Sequence, residues 1–340
     1  MIAINKSKIG FHPRWIKYCE ENNIPYKLVN CYSNDIISEL SNCDALLWHY
    51  HQMNPKDLVI AKQIMYALEH TGFKVFPNFK TGWHFDDKVA QKYLFESIGA
   101  PMVESYVFFE KTRALAWVYE TSFPKVFKLR GGAGSSNVKL VKNEKQAEKT
   151  INRAFGRGFS NYDAWGSLKE RWRKFRLGKT GLKEPIKGLI RLYKAPDFAK
   201  VLGREVNYAY FQDFIPDNDS DIRIIVIDNK AFGLKRYVRE NDFRASGSGN
   251  FSYKRKEFDE RCIKISFDTT SKLQLQCAAF DFVFDLENNP LLVEVSFGFS
   301  AEGYDACPGY WDVNLNWHEG KFNPQGWMVE SLLKEIETSK

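Results

Sequence analysis

The sequence predicts a mixed α/β and α+β chain: a small α/β domain followed by two lobes rich in antiparallel strands. Three observations lead there. Residues 1–80 alternate short apolar runs with amphipathic stretches, the pattern of strands joined by helices. In the middle, Pro124-Lys-Val-Phe-Lys-Leu129 runs into Arg130-Gly-Gly-Ala-Gly-Ser-Ser-Asn137 and then Val138-Lys-Leu-Val141, which reads as a hairpin with a long tip. From Glu205 onward, runs suited to strands dominate. At ~100–200 residues per domain, 340 residues allow two or three. The expected division is 1–80 for the α/β domain, 81–204 for a small lobe with the glycine loop and a basic insertion at about 157–200, and 205–340 for a large lobe.

The elements follow in order. Asp44-Ala-Leu-Leu-Trp48 reads as a buried strand. Asn54-Pro-Lys-Asp opens a helix through Ile60, Ile64 and Leu68 that stops at Gly72, and Lys74-Val-Phe-Pro is the next strand. Ligands of such sheets sit beyond the carboxyl ends of the strands, which puts His49 and His51, on one strand face just past Trp48, among candidate substrate contacts. Asp86 or Asp87 caps a helix with Val89, Leu94 and Ile98 as its stripe, closed by Gly99 and Pro101. Asn143 to Phe155 is a helix. Strands are expected at Val206–Ile215, Asp221–Ile227 and Ala231–Val238, with a hairpin around Asp228-Asn-Lys230. Cys262–Phe267 reads as a strand and Thr270–Cys277 as a helix. Phe280–Phe284 and Leu291–Val295 form a last strand pair, and Gln325–Thr338 is a terminal amphipathic helix.

Composition narrows the function. Aromatics at 15% exclude wholesale disorder, and no apolar run approaches the ~18–20 residues of a membrane span. The first residues do not read as a signal peptide, so a cytoplasmic location is expected. Six cysteines without a C-x-x-C pair read as reduced, mostly buried thiols. The net charge of +7 is uneven: Ile151–Arg204 holds +10 and the remainder −3. Its densest part, Lys169-Glu-Arg-Trp-Arg-Lys-Phe-Arg176, is open to two readings, a solvated helical face or flap and a contact for nucleic acid, anionic glycan or membrane surface. Confinement of the positive charge to one segment argues against a nucleic-acid binder.

Three features carry chemistry. Gly131, Gly132, Gly134, Ser135 and Ser136 supply backbone N–H groups that can cradle phosphate oxygens, although the run is neither a Walker loop nor a Rossmann fingerprint. Asp281 and Glu294 sit in neighbouring apolar strands, where an ionised carboxylate needs a partner or a metal, and two of them suit Mg²⁺. Cations outside the insertion, Lys88, Lys128, Arg223, Lys235, Arg236 and Arg244, complete the set, with Lys128 immediately before the glycine loop. A floppy hairpin, a solvated strand face and a snorkelling lysine are the plainer alternatives.

Taken in order, these features resemble the ATP-grasp superfamily, in particular RimK-type carboxylate–amine ligases, from about Gly82 to Ser300 without the basic segment. Asp87-Lys88, Leu94 and Gly99-Ala-Pro101 resemble its opening helix with a phosphate-contacting lysine. Pro124–Lys128 resembles its second ATP lysine, Gly131–Val138 its mobile loop, and Tyr210-Phe-Gln-Asp-Phe-Ile215 its adenine hinge. Asp221-Ile-Arg223 and Asn241-Asp-Phe-Arg244 resemble its two arginine motifs, and Asp281 with Glu294-Val-Ser296 and Gly298 its metal motif. Ser296 stands where the family usually has Asn, and Ala245-Ser-Gly-Ser-Gly-Asn250 replaces an Asn with paired glycines, so acceptor specificity is not carried over.

The resemblance implies an ATP-grasp fold behind an N-terminal pre-ATP-grasp domain, with ATP between two subdomains and Mg²⁺ (or Mn²⁺) on its phosphates. Lys88, Lys128, Lys235 and the glycine loop would bind nucleotide, and Gln212, Asp213 and Phe214 would form the hinge. Asp281, Glu294 and Ser296 would hold metal, and Arg244 with Arg223 would face the transferred phosphoryl group. The implied reaction joins a carboxylate to an amine through an acyl phosphate, releasing ADP and phosphate. Its partners would be a small-molecule or glycan carboxylate, anionic in the glycan case, and an amine. Three alternatives stay open: a ligase for an acidic sugar, a kinase on the same scaffold, and a non-catalytic nucleotide binder. A homodimer is not excluded.

Overall fold

The computed structural model describes residues 1–132, 137–176, 178, 180–238, 244–245, 247 and 249–338. Strand β1 (Ile2–Asn5) opens a parallel sheet, followed by helix α1 (His12–Glu21), β2 (Tyr26–Val29), α2 (Ile36–Glu39), β3 (Ala45–Leu47), α3 (Pro55–His70) and β4 (Lys74–Phe76). The strand order is β2-β1-β3-β4. The expected cap appears at α3, where the Asn54 side chain accepts from the Lys56 N–H. Then come α4 (Phe79–Gly82), α5 (Lys88–Ser97), β5 (Ser105–Phe108), α6 (Lys111–Val118), β6 (Lys125–Lys128), β7 (Val138–Val141) and α7 (Glu144–Ala154). The expected glycine hairpin is present: β6 and β7 pair antiparallel, Lys128 opposite Val138.

The basic insertion is helical. A two-residue strand, β8 (Phe159–Ser160), leads into α8 (Ala164–Arg176), α9 (Lys183–Tyr193) and α10 (Asp197–Leu202), and β9 (Arg204–Glu205) pairs back with β8. Strand β10 (Ala209–Asp213) then enters the small-lobe sheet between β5 and β6, giving the order β5-β10-β6-β7. The expected lobe boundary at 204/205 is therefore corrected. A strand flanked by two partners cannot belong to another lobe, so the small lobe extends through Asp213.

The large lobe is a seven-stranded sheet: β11 (Ser220–Ile227), β12 (Lys230–Tyr237), β13 (Phe251–Ser252), β14 (Cys277–Phe284), β15 (Pro290–Ser296), β16 (Gly309–Asp312) and β17 (Trp317–Glu319). Asp228 and Asn229, both at positive φ, make the tight β11–β12 turn. Helix α11 (Glu260–Leu273) replaces the strand expected at Cys262–Phe267 and the helix expected at Thr270–Cys277. Cys-Ile-Lys-Ile-Ser-Phe alternates like a strand, but Asp259 caps the segment and Cys262, Ile263, Ser266 and Thr269 bury one helical face. Helix α12 (Pro324–Glu337) closes the chain.

Two cores cover the large sheet. On one face, Ile222, Ile224, Val226, Phe280 and Phe282 pack with Phe258, Cys262 and Ile263. On the other, Ile225, Ile227, Phe232, Leu234 and Ala279 join a cluster with Ile2, Ile4, Trp15, Trp327 and Met328. At roughly 1.5–3 kcal/mol per large side chain buried, this second cluster fixes the N-terminal domain to the large lobe. All six cysteines are free and five are buried. Among the described residues, no helix is long and apolar enough to cross a membrane.

Candidate active site

The large lobe supplies one wall through strand register. Arg223 on β11 stands opposite Asp281 on β14, and Asp281 stands opposite Glu294 on β15, so three charged side chains line one sheet face. Two residues before Arg223, Asp221 stands opposite Arg236 on β12. The Arg223 guanidinium donates to both Asp281 oxygens, at 2.5 and 2.7 Å, and Arg236 Nη2 lies 2.8 Å from Asp281 Oδ2. Arg236 also donates to Asp221 at 2.6 and 2.7 Å. Burial alone would raise the Asp281 pKa, but the two guanidiniums outweigh it and hold the carboxyl well below its usual range. For Asp221 the balance reverses: burial raises its pKa against the pull of Arg236. Tyr304, buried among Phe232 and Phe299, lies close enough to sense both arginines.

The small lobe supplies the opposing wall. Lys128 Nζ, on buried β6, donates to Gln212 Oε1 at 2.5 Å, and Gln212 Nε2 donates to Ser105 Oγ at 3.0 Å. Burial lowers the Lys128 pKa to about 8 while the charges of Glu294 and Asp281 oppose the drop, so the two walls are within electrostatic reach. Asp213 points to the other face of this sheet, where Lys125 Nζ holds its carboxylate at 2.6 Å. Its N–H donates to Glu104 O at 2.9 Å. Of its polar groups, the carbonyl is the one these bonds do not use.

A third group joins the walls at the start of α5. The Asp87 carboxylate caps the helix by accepting from the Ala90 N–H at 2.9 Å. Lys88 Nζ donates to Gly132 O at 2.9 Å and pairs with Glu294 Oε1 at 3.5 Å. Asp86, at φ +56°, accepts from the Gly132 N–H at 2.9 Å. Its carboxyl rises to a pKa of about 6 through burial, against the counteracting Lys88 charge. A Cβ on Gly131 would stand 3.1 Å from Asp86 Oδ2, which accounts for a glycine there. Asp86 and Lys88 thus fasten the base of the glycine loop to the helix that starts the site.

One expected residue, Lys235, lies elsewhere. Lys235 is in register with Ile222, which is buried on the α11 face, and its ammonium sits 5.5 Å over the Tyr237 ring. It faces away from the Arg223–Asp281 side of the sheet, because strand side chains alternate. Ser296 Oγ closes a local turn, donating to Gly298 O at 2.9 Å and accepting from the Gly298 N–H at 3.1 Å. Phe214 is half-buried at the end of β10, and Arg244 is half-buried beside buried Ala245. Gly134, Ser135 and Ser136 lie outside the described residues.

His49 and His51 do not share a strand face, because β3 ends at Leu47. The His49 ring stacks on Phe11 at 3.8 Å and its Nδ1 accepts from the Phe11 N–H at 3.1 Å, so it is a packing group. His51 Nδ1 accepts from the Met53 N–H at 3.1 Å. Conversely, Asp86 was expected only as one of two cap residues, and Arg236 only as one of several cations. The apolar, two-sided setting of β12 was the signal that Arg236 needed a buried counter-ion.

The donor set suits a polyphosphate: Lys88, at the start of α5, and Lys128, at the end of β6, converge on the carboxylate row of the large lobe. For Mg²⁺ it is narrower. Both Asp281 oxygens are bonded to arginines, and among the described residues no group of three or more His, Cys, Asp or Glu side chains is arranged around a cation position. Glu294, with a partly exposed carboxylate, remains. Mg²⁺ is commonly held by one or two carboxylates plus substrate phosphates and water, so Glu294 fits that role, with Asp281 adjoining it.

Comparison with known proteins identifies the fold. The fold is the ATP-grasp fold. A RimK domain ATP-grasp protein from Sphaerobacter thermophilus superimposes with TM-score 0.56 at 14% identity, over 98% of this chain and 99% of that one. D-alanine–D-alanine ligase from Bacillus anthracis gives 0.53 at 14%, over 100% and 99%. A biotin carboxylase from Campylobacter jejuni gives 0.58 at 13%, over 97% and 70%. Residues 192–310 match the family model of the RimK-like ATP-grasp domain. A search of curated proteins gives no match.

Proposed function

We propose that this protein is an ATP-dependent carboxylate–amine ligase. The observation that carries the reading is the convergence of Lys88, Lys128 and the row Glu294–Asp281–Arg223 between the two lobes of an ATP-grasp fold. A substrate carboxylate oxygen attacks the γ-phosphorus of ATP, giving an acyl phosphate and ADP. An amine then adds to the acyl carbon, phosphate leaves, and the amine gives up a proton as the amide forms.

The chain's task is to hold several anions together without reorganisation. Lys88 and Lys128 bind nucleotide phosphates, and the β10 hinge through Gln212, Asp213 and Phe214 borders the base. Arg244 and Arg223 face the transferring phosphoryl group. The glycine loop, anchored by Asp86, covers the acyl phosphate and excludes water. Glu294 would hold Mg²⁺, which supplies charge neutralisation on the phosphates.

The test combines ATP and Mg²⁺ with panels of carboxylates (amino acids, peptides and acidic sugars) and amines, singly and in pairs, and measures ADP and phosphate. Release of both that depends on a carboxylate–amine pair is the expected result. ADP with a stable phosphoester and no free phosphate would instead mark a kinase and overturn the ligase reading.

A further inference from the structure

The helical insertion buries little of itself. No side chain of α8 is buried, and α9 buries only Pro185 and Gly188. Gly188 is where α9 meets α8: a Cβ there would stand 2.9 Å from Leu168 Cδ1 and 3.1 Å from Arg171 Cδ. An ion pair between Arg171 and Glu184 fixes the same side. The side of α9 away from α8 carries Leu182, Ile186, Leu189, Ile190 and Tyr193, spaced i, i+4, i+7, i+8 and i+11. Ile186 is 49% exposed, Leu189 52%, Ile190 58% and Tyr193 94%. By helical spacing, Lys183 and Lys187 lie along one flank of this stripe. On α8, Trp165, Lys169, Trp172 and Arg176 share another exposed stripe, with Arg176 over the Trp172 ring at 5.7 Å.

We propose that α8 and α9 form a docking surface for an anionic lipid bilayer, with α9 lying in the plane of the interface. An aliphatic stripe beside lysines, with tryptophans nearby, is the arrangement of interfacial helices: the apolar side chains enter the headgroup boundary and the ammonium groups meet lipid phosphates. Charge selects the occupant. The segment Ile151–Arg204 carries +10 against −3 for the rest of the chain, so attraction to an anionic surface is confined to this one part of the molecule. An acidic polysaccharide would satisfy the lysines but leave Ile186, Leu189 and Ile190 in water. A second copy would bring two strongly positive segments together. The inference stands apart from the ligase reading, because neither helix contributes a residue to the site described above.

The experiment is co-sedimentation of the full chain with vesicles of pure phosphatidylcholine and of a two-to-one mixture of phosphatidylcholine and phosphatidylglycerol. The wild type should bind the mixed vesicles and leave the neutral ones, and its binding should weaken as salt rises. Ile186→Glu with Ile190→Glu should lower binding at least ~10-fold, since it removes apolar area from the interface and adds two charges that the anionic lipid repels. Lys183→Gln with Lys187→Gln should weaken it less and flatten the salt dependence. All changes are at exposed positions, and unchanged far-UV circular dichroism checks the fold. Absence of binding to the mixed vesicles overturns the proposal. So does binding that survives the double Glu variant, which would mean attraction to any polyanion. A lipid-free dimer in sedimentation velocity that the same variant dissolves would assign the stripe to a second copy and also overturn it.

Discussion

Along β11 and β14, one face of the large sheet presents Ile225, Ile227, Cys277 and Ala279 to the N-terminal domain. Two residues further along the same strands it presents Arg223 and Asp281. Both regions are buried, and strand alternation puts both on one face. They differ in what satisfies them. The apolar region accepts any close-packed neighbour, so β1, α1 and α12 can cover it. The charged region is satisfied only by a closed set in which Arg236 bridges Asp281 and Asp221 while Arg223 grips Asp281. The two central carboxylates differ: both oxygens of Asp281 are taken by arginines, whereas Glu294 is partly exposed and meets Lys88 at 3.5 Å.

Substitutions in the two regions should have different consequences. The largest effect is expected for Asp281→Asn, which takes the counter-ion from the Arg223 guanidinium and leaves Arg236 with Asp221 alone. Urea unfolding should show a loss of about 3–5 kcal/mol, and a loss below about 1 kcal/mol would mean that Asp281 does not hold the wall. Next comes Glu294→Gln, expected to lower ATP turnover at least ~10²-fold, as for loss of one strong electrostatic contact. It should barely move the unfolding midpoint. Equal effects of both changes on stability would erase the distinction between the two carboxylates.

A pH series probes the wall opposite. Lys128 is charged below a pKa of about 8 and neutral above it, against the ordinary lysine value of 10.5. The KM for ATP should therefore rise as pH passes about 8. Between about 8 and 10.5 the unfolded chain binds more protons at this lysine than the folded one, so its contribution to stability grows with pH. A KM for ATP that stays flat to pH 10 would separate Lys128 from phosphate binding. The smallest effect belongs to the apolar region: Ile225→Val should cost about 0.5–1.5 kcal/mol, with turnover unchanged in the same ADP assay.

Much of this was legible in the sequence because it is local. Strand, glycines, strand fixed the β6–β7 hairpin, and Asn54 and Asp87 announced their helices. The rest depended on pairings between distant segments. Asp86 reads as a helix cap, and its bond to Gly132 exists only because α5 lies against the loop base. Lys235 and Arg236 are adjacent cations, and register alone decides which of them meets Asp281. In α11, Cys262–Phe267 satisfies both a twofold and a helical period, and burial against Ile224 and Phe280 selects the helix. The insertion read as basic and aromatic, but its outward aliphatic stripe appeared only once Gly188 showed which side faces α8.

The place of β10 has a consequence for synthesis. It is last in sequence among the strands of its sheet and second in space, with β5 on one edge and β6 on the other. Until Asp213 has left the ribosome, β5 and β6 have no strand between them, and the helical insertion is made before the sheet it interrupts can close. A nascent chain halted near Arg204 would hold the β6–β7 hairpin with an open edge, an invitation to chaperones and to pairing with other chains. The small-lobe sheet is therefore complete only once the five residues of β10, Ala209 to Asp213, take their place between β5 and β6.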